Sequence, residues 1–203
     1  MFQLKSQNSP RLRTLGLWCL LALTATPVAA QSETSQPEAT PLSTADLSPQ
    51  AIECLQTSYS QYVDASLAWY QDLIQETTAK NDKLTEVGQW FLTGRQHHFE
   101  LNRAAFNEFI QTSPAKINLN HSVESWLTLT QADIRQLSVR KDALGQAAAQ
   151  TYQDRQKPPH PQNYQLREAF AQNLSQDDAL KPQLNQYNQK LTSISAQKCL
   201  VQP

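Results

Sequence analysis

The residues best suited to chemistry lie in the run from Gly94 to Phe109, GRQHHFELNRAAFNEF. Two adjacent histidines, His97 and His98, share it with arginine, glutamate and asparagine side chains. Imidazole and carboxylate groups bind metals and transfer protons, so a site is expected first in this run. If the run is helical, however, about 100° separates neighbouring side chains. The helical wheel turns His98 toward the apolar stripe and leaves His97 off its flank.

Three polar side chains of this run share the predicted apolar face: Arg95, His98 and Asn102, at positions i, i+3 and i+7. A buried arginine needs a partner, because an unpaired buried charge is strongly destabilising. By depth along antiparallel helices, Tyr62 and Asp133 should lie nearby, and we expect Asp133 to pair with Arg95. The favoured interpretation is a structural polar layer that fixes helix register. The functional alternative is a ligand pocket built from these five residues.

Two H-x-x-E pairs, His97/Glu100 and His121/Glu124, superficially resemble the ligand pairs of helical di-iron sites. At 1.5 Å per residue, His97 would lie roughly 20 Å from the turn that holds His121. The two pairs therefore cannot meet within one chain, and the sequence predicts neither a metal site nor a cofactor.

Signatures of catalysis are also missing from the sequence. After the N-terminal segment only Gly88, Gly94 and Gly145 remain, so there is no glycine-rich phosphate loop. No C-x-x-C pair and no G-x-S-x-G turn occurs. We therefore expect a protein that is not an enzyme.

The N-terminus has the layout of a secretory signal. Lys5, Arg11 and Arg13 precede an apolar run, and the small residues at 28–30 suit cleavage before Gln31. The apolar run has roughly 15 residues, whereas a membrane-spanning helix needs about 20. We therefore expect residues 1–30 to be a cleaved signal peptide and no stable membrane insertion to follow; an uncleaved anchor is the alternative. Residues 31–47 are rich in Ser, Thr, Pro and Gln, which predicts a disordered leader.

Cleavage makes the chain more acidic. It removes three of the 17 basic residues and none of the 18 acidic ones, which leaves a net charge of −4. This sign disfavours nucleic acid as a partner, because phosphate backbones require clustered Lys and Arg. The mature chain keeps Cys54 and Cys199, which in an oxidising compartment predicts one disulfide; two free thiols are the alternative.

Helical spacing predicts an all-α fold for the domain 48–203, an up-down-up-down four-helix bundle. Helix 1 should begin at Ser48 as the N-cap with Pro49 next to it. The predicted helices then cover roughly 84–112 and 123–154, and a fourth from 164 onward that is broken near 175–182.

One short motif indicates a family. Leu127–Gln131, LTLTQ, fits L-T-x-x-Q and resembles a signature of small helical periplasmic stress chaperones of the Spy/CpxP kind, which usually carry it twice. The resemblance covers five residues and extends to compartment and helicity; membership is not inferred. Taken together, the sequence predicts an exported protein, in the bacterial periplasm or outside the cell. We expect it to bind another protein, as an envelope chaperone, inhibitor or assembly factor. The alternative is a small-molecule or metal binder that uses the polar layer.

Overall fold

A computed structural model describes residues 47–176 and 178–199 of the chain. The predicted signal peptide 1–30, and the predicted leader up to residue 46, lie outside the described residues. The described part holds six α-helices and no β-strand: α1 (Pro49–Lys80), α2 (Thr85–Thr112), α3 (Gln131–Leu137), α4 (Ala143–Gln156), α5 (Asn163–Gln176) and α6 (Lys181–Ser195). The predicted all-α helical bundle is confirmed.

Helix α1 begins as the sequence predicts. The Ser48 hydroxyl accepts a hydrogen bond from the Ala51 amide at 3.2 Å, and Pro49 occupies the first turn, where its missing N–H costs nothing. At the other end, the short turn Asp82–Leu84 reverses the chain into α2. The two long helices therefore form an antiparallel hairpin, which is the centre of the bundle.

The other helices pack on the two sides of this hairpin. Helix α4 lies against α2, and α6 lies along α1, each antiparallel to its neighbour. Helix α5 covers the end of the hairpin, where its Leu166 and Phe170 bury against Leu73 and Val87. The directions of α1, α2, α4 and α6 thus alternate, as in an up-down-up-down bundle.

The predicted third helix, 123–154, is wrong as a continuous element. Val123–Ser125 is a single 3-10 turn, and Leu127 pairs with Ile117 in an isolated antiparallel bridge. Leu127 and Leu129 are buried while Thr128 is exposed, an alternation that fits extended chain rather than helix. The L-T-x-x-Q motif therefore lies mostly before a helix.

Capping residues explain where the two replacement helices begin. Thr130 and Asp133 form a reciprocal capping box that starts α3. Asp142 accepts a hydrogen bond from the Gly145 amide at 2.8 Å and starts α4. Both signals are local, and they override the seven-residue spacing that indicated one long helix.

The predicted break in the fourth helix is confirmed. Helix α5 ends at Gln176, a short turn covers Asp178–Leu180, and α6 restarts with Pro182 in its first turn. The predicted disulfide is confirmed as well: Cys54 and Cys199 are bonded, with their Cα atoms 5.5 Å apart. It lies on the flank of α1, one turn from Ser58, whose hydroxyl is 3.6 Å from the Cys199 sulfur.

Aromatic stacking fills the main core. The Tyr59 ring stacks on Phe106 with 4.1 Å between ring centroids, and Trp126 stacks on Phe106 at 5.9 Å. Trp126 belongs to the irregular 113–130 connection, so that connection closes one end of the bundle with apolar side chains. Among the described helices, none has both the length and the apolar character needed to cross a membrane.

Candidate functional site

A cleft of about 970 Å³ opens between α2, α4 and α5. We call it the α2–α4–α5 cleft. It is lined by Thr85, Glu86, Gln89, Trp90, Phe91, Thr93, Gly94, Arg95, His97, His98, Gln150, Thr151, Asp154, Arg155, Lys157, Pro159, Asn163 and Arg167. The run that the sequence singled out, beginning at Gly94, therefore forms one wall of a real cavity.

Local sequence explains why the cleft is open. Gly94 stands in the middle of α2, and a Cβ atom built there would meet no heavy atom within 4 Å. The proline-rich connection after Lys157 ends α4 and carries the chain across to α5. There the His160 ring packs on Trp90, which lines the cleft, with 5.8 Å between ring centroids.

His98 forms the centre of a hydrogen-bonded chain on the cleft wall. Its Nδ1 lies 3.3 Å from Arg155 Nη2, and its Nε2 lies 3.4 Å from the Asn102 side-chain amide. Arginine has no acceptor, so Nδ1 must accept and the proton of neutral His98 is on Nε2. The Oδ1 atom of Asn102 is buried without a hydrogen-bond partner. Turning the amide by half a rotation would let this oxygen accept from Nε2, which satisfies both groups.

The electrostatic environment keeps His98 neutral. Burial, Arg155 and Arg95 together lower the pKa of His98 to about 4. The pKa of Arg155 is lowered as well, by burial and by the charge of Arg95. The two guanidinium groups therefore repel each other and the protonated imidazole across the same wall.

The structure brings together three of the five candidate residues. Arg95, His98 and Asn102 follow one another along α2, as predicted, and Arg95 holds its guanidinium carbon 4.9 Å from the centre of the Phe91 ring and 5.1 Å from that of Tyr70. This cation–π contact replaces the carboxylate partner that the sequence analysis expected.

Asp133 is not the partner of Arg95, and that expectation is corrected. Its carboxylate accepts from Lys116 Nζ at 2.8 Å and from the Thr130 amide at 3.0 Å, at the start of α3. Hydrogen bonds from Lys116 and Thr130 lower the pKa of Asp133 to about 2. The cause of the error is the helix assignment: a continuous third helix would have carried Asp133 alongside α2.

Tyr62 also lies apart from the cleft. Its ring packs in the main core, edge-on to Phe99 with 6.0 Å between ring centroids. Burial and the nearby Tyr187 hydroxyl raise the pKa of Tyr62 to about 12. It serves the packing of α1 against α2 and α6, and it does not contact Arg95 or His98.

His97, which the sequence analysis set aside, is part of the cleft. Its Nδ1 lies 2.5 Å from Asp154 Oδ2, and the Thr151 hydroxyl donates to its backbone carbonyl at 3.1 Å. Burial opposes ionisation of Asp154, but hydrogen bonds from His97 and Lys157 outweigh it and lower the pKa of that carboxyl. Both histidines therefore line the α2–α4–α5 cleft.

Sequence analysis missed the residues that α4 and α5 contribute, above all Arg155 and Arg167. A signal for Arg155 was present, because it follows the buried Thr151 by one helical turn and so shares its face. Within the described residues, no three His, Cys, Asp or Glu side chains are grouped closely enough to hold a metal ion.

No family model, curated protein or solved structure matches this chain. The chemistry of the cleft therefore carries the functional interpretation.

Proposed function

We propose that this chain is an exported binding protein without catalytic activity and that it holds its ligand in the α2–α4–α5 cleft. The observation that carries the proposal is the cleft itself, which measures about 970 Å³ and is lined by Arg95, His97 and His98 of α2. Binding pockets for small molecules typically measure about 300–1,000 Å³ and combine apolar walls with a few polar groups. This favours the small-molecule alternative of the sequence analysis over the structural layer alone.

The hydroxyl groups of the cleft support binding rather than catalysis. Nucleophilic catalysis would need a free hydroxyl beside a base such as the His97–Asp154 pair. Thr85, Thr93 and Thr151 all donate their hydroxyl hydrogen to backbone carbonyls, at 2.7, 2.9 and 3.1 Å. None of these three is presented to His97 as a nucleophile.

Export is supported by the disulfide between Cys54 and Cys199. Disulfides form and persist in oxidising compartments and are rare in the cytosol of most organisms. Together with the basic and apolar pattern of residues 1–30, this favours the bacterial periplasm or the extracellular space as the location.

A variant that fills the cleft tests the proposal. Gly94→Trp should place an indole ring in the open space beside α2, whereas Gly94→Ala adds only a methyl group there. The immobilised parent and both variants are incubated with an extract of the source cells' exported fraction, and released compounds are identified by mass spectrometry. We expect the parent and Gly94→Ala to retain a compound that Gly94→Trp does not. Equal retention by all three proteins would reject the cleft as the site.

A protein partner is the second candidate, as an envelope chaperone, inhibitor or assembly factor would require. Trp90 is 38% exposed and Tyr164 is 74% exposed, and exposed aromatic residues are enriched in protein interfaces. A protein partner bound through these exposed aromatic side chains should still be captured by Gly94→Trp, and its capture should weaken for Tyr164→Ala.

A further inference from the structure

We infer that the ligand of the α2–α4–α5 cleft is a small organic anion. Its acidic group would sit between Arg95 and Arg155, beside His98, and its apolar part would lie along Trp90. This inference rests on the proposed function and names the chemical class of the ligand.

Three arginines line the cleft, and none of them pairs with a carboxylate of a described residue. Arg95 donates no hydrogen bond to a described residue, and its guanidinium group lies over the faces of two aromatic rings. Arg155 donates to two neutral groups, Gln131 Oε1 at 3.2 Å and His98 Nδ1 at 3.3 Å. Arg167, on α5, pairs with no carboxylate among the described residues either.

Two of the three described arginines outside the cleft, Arg103 and Arg140, pair with carboxylates, whereas the exposed Arg135 has no carboxylate partner among the described residues. Arg103 contacts the carboxylates of Asp64, at 2.6 Å, and Glu100, at 3.1 Å. Arg140 binds Glu108 through two hydrogen bonds and also contacts Asp142. No carboxylate of the described residues takes the corresponding place at Arg95 or Arg155, and an external anion could take it.

The two acids of the cleft lie beside histidines rather than beside the arginines. Asp154 is bonded to His97 and, at 3.2 Å, to Lys157. Glu86 lies 3.6 Å from His160 Nε2. Neither carboxylate is in contact with Arg95 or Arg155, so both guanidinium charges face the cavity uncompensated. The predicted mature chain is negatively charged overall, so this group of cations does not reflect a general excess of basic residues.

An anion would relieve a specific repulsion. Arg95 and Arg155 interact unfavourably with each other and with a protonated His98. Most guanidinium N–H groups of both side chains remain available, and arginine forms strong charge-assisted hydrogen bonds to carboxylate, sulfonate and phosphate oxygens. One acidic group placed between the two arginines would satisfy these donors and lower the repulsion at once.

The remaining walls describe the rest of the ligand. Trp90 and Phe91 contribute aromatic surface from α2, and Pro159 adds an apolar ring from the connection. Trp90 is already backed by His160, which limits the movement of its indole ring. A cavity of about 970 Å³ accommodates a molecule of drug-like size, so the chemistry fits a flat apolar group with an acidic substituent better than a bare inorganic anion.

A pair of fluorescent probes with the same aromatic skeleton tests the inference. Anilinonaphthalene sulfonate carries one negative charge, and N-phenylnaphthylamine is neutral. Both are titrated into the full-length mature protein, and into Arg95→Gln, Arg155→Gln and Gly94→Trp. Arg135→Gln is the matched control, because this exposed arginine of α3 does not line the cleft. Circular dichroism and urea unfolding verify that each variant is folded.

We expect each cleft arginine variant to weaken sulfonate binding roughly tenfold or more, which is the loss of one charge-assisted hydrogen bond. The neutral probe should change less than about twofold in the same variants, and added salt should weaken the sulfonate alone. Gly94→Trp should abolish the binding of both probes.

The outcomes separate the two proposals. If Gly94→Trp blocks both probes but neither arginine variant weakens the sulfonate, the cleft binds ligands and the anion inference is wrong. If Gly94→Trp changes neither probe, the cleft is not a binding site and both proposals fail. If Arg135→Gln weakens the sulfonate as much as Arg155→Gln does, the effect is one of overall charge, and the inference is overturned.

Discussion

Lowering the pH should destabilise this protein through His98 before its carboxylates matter. The pKa of His98 is about 4 in the folded chain, against 6.5 for an unperturbed histidine. Between these values the unfolded chain binds a proton that the folded chain excludes, so stability must fall as the pH falls. The contribution is fully present above pH 6.5, is lost progressively towards pH 4, and changes no further below that.

The size of the loss follows from the same two values. Each pH unit inside the interval costs up to about 1.4 kcal/mol, and the whole interval costs about 3 kcal/mol. The lowered pKa values of Asp133 and Asp154 produce losses of the same sign, but chiefly at lower pH, because those groups ionise below 3.8. His98 therefore dominates the interval from pH 6.5 down to pH 4 among the groups with a lowered pKa.

Urea unfolding at a series of pH values measures this contribution when the parent is compared with His98→Gln. The difference in unfolding free energy between the two proteins should change by about 3 kcal/mol across the interval. Arg155→Gln keeps the imidazole but removes a neighbouring cation, so its loss should be smaller than the parent's. Curves for the parent and His98→Gln that stay parallel within about 1 kcal/mol would refute the assignment of a neutral, cation-flanked imidazole.

Three further predictions concern the frame around the cleft. Cys54→Ser opens a cross-link between residues separated by 145 positions, and chain entropy predicts a loss of about 2 to 5 kcal/mol in denaturant unfolding; a loss below about 1 kcal/mol would contradict this. Gly145→Ala would place a Cβ 2.2 Å from a backbone carbonyl oxygen, so we expect more than about 2 kcal/mol of destabilisation. Gly94→Ala meets open space and should be neutral or stabilise by up to about 1 kcal/mol. Comparable melting temperatures for the two variants would exclude the clash at Gly145. Asp133→Ala removes the N3 carboxylate of the capping box of α3 and should cost about 1 kcal/mol, and a loss above about 3 kcal/mol would instead indicate the buried ion pair that the structure does not show.

The parts of the fold that were predictable are those set by local, repetitive signals. The long apolar stripes of α1 and α2, the Ser48 cap and the turn between them need only one helical period and one capping residue. The same holds for the restart at Pro182 and for the pairing of Cys54 with Cys199. Each helix feature depends on a few neighbouring residues, and the disulfide follows because the predicted mature chain has two cysteines.

The irregular 113–130 connection could not be predicted from the same signals. Trp126 and Leu127 fit the apolar pattern of a helix, yet Trp126 is buried just after a 3-10 turn and Leu127 is buried from extended chain. Which backbone they adopt depends on where the capping box at Thr130 starts α3, and a periodicity count does not weigh that competition. This single misassignment misplaced Asp133, and with it the expected partner of Arg95.

A helical wheel of α2 alone identified only some of the residues that line the cleft. The wheel measures each side chain against one face, and it ranked His98 inward and His97 aside. A cleft is made by two or three helices, so the side chains that matter lie at the edge of a face, where α4 approaches. There His97 contacts Asp154, so this carboxylate of the cleft already has a partner. His98 accepts a hydrogen bond from Arg155, whose guanidinium group has no carboxylate partner in the described part of the chain. The two histidines therefore contact opposite charges of α4. Arg155 keeps its positive charge without a carboxylate partner among the described residues, and this makes its wall of the cleft suited to an anion.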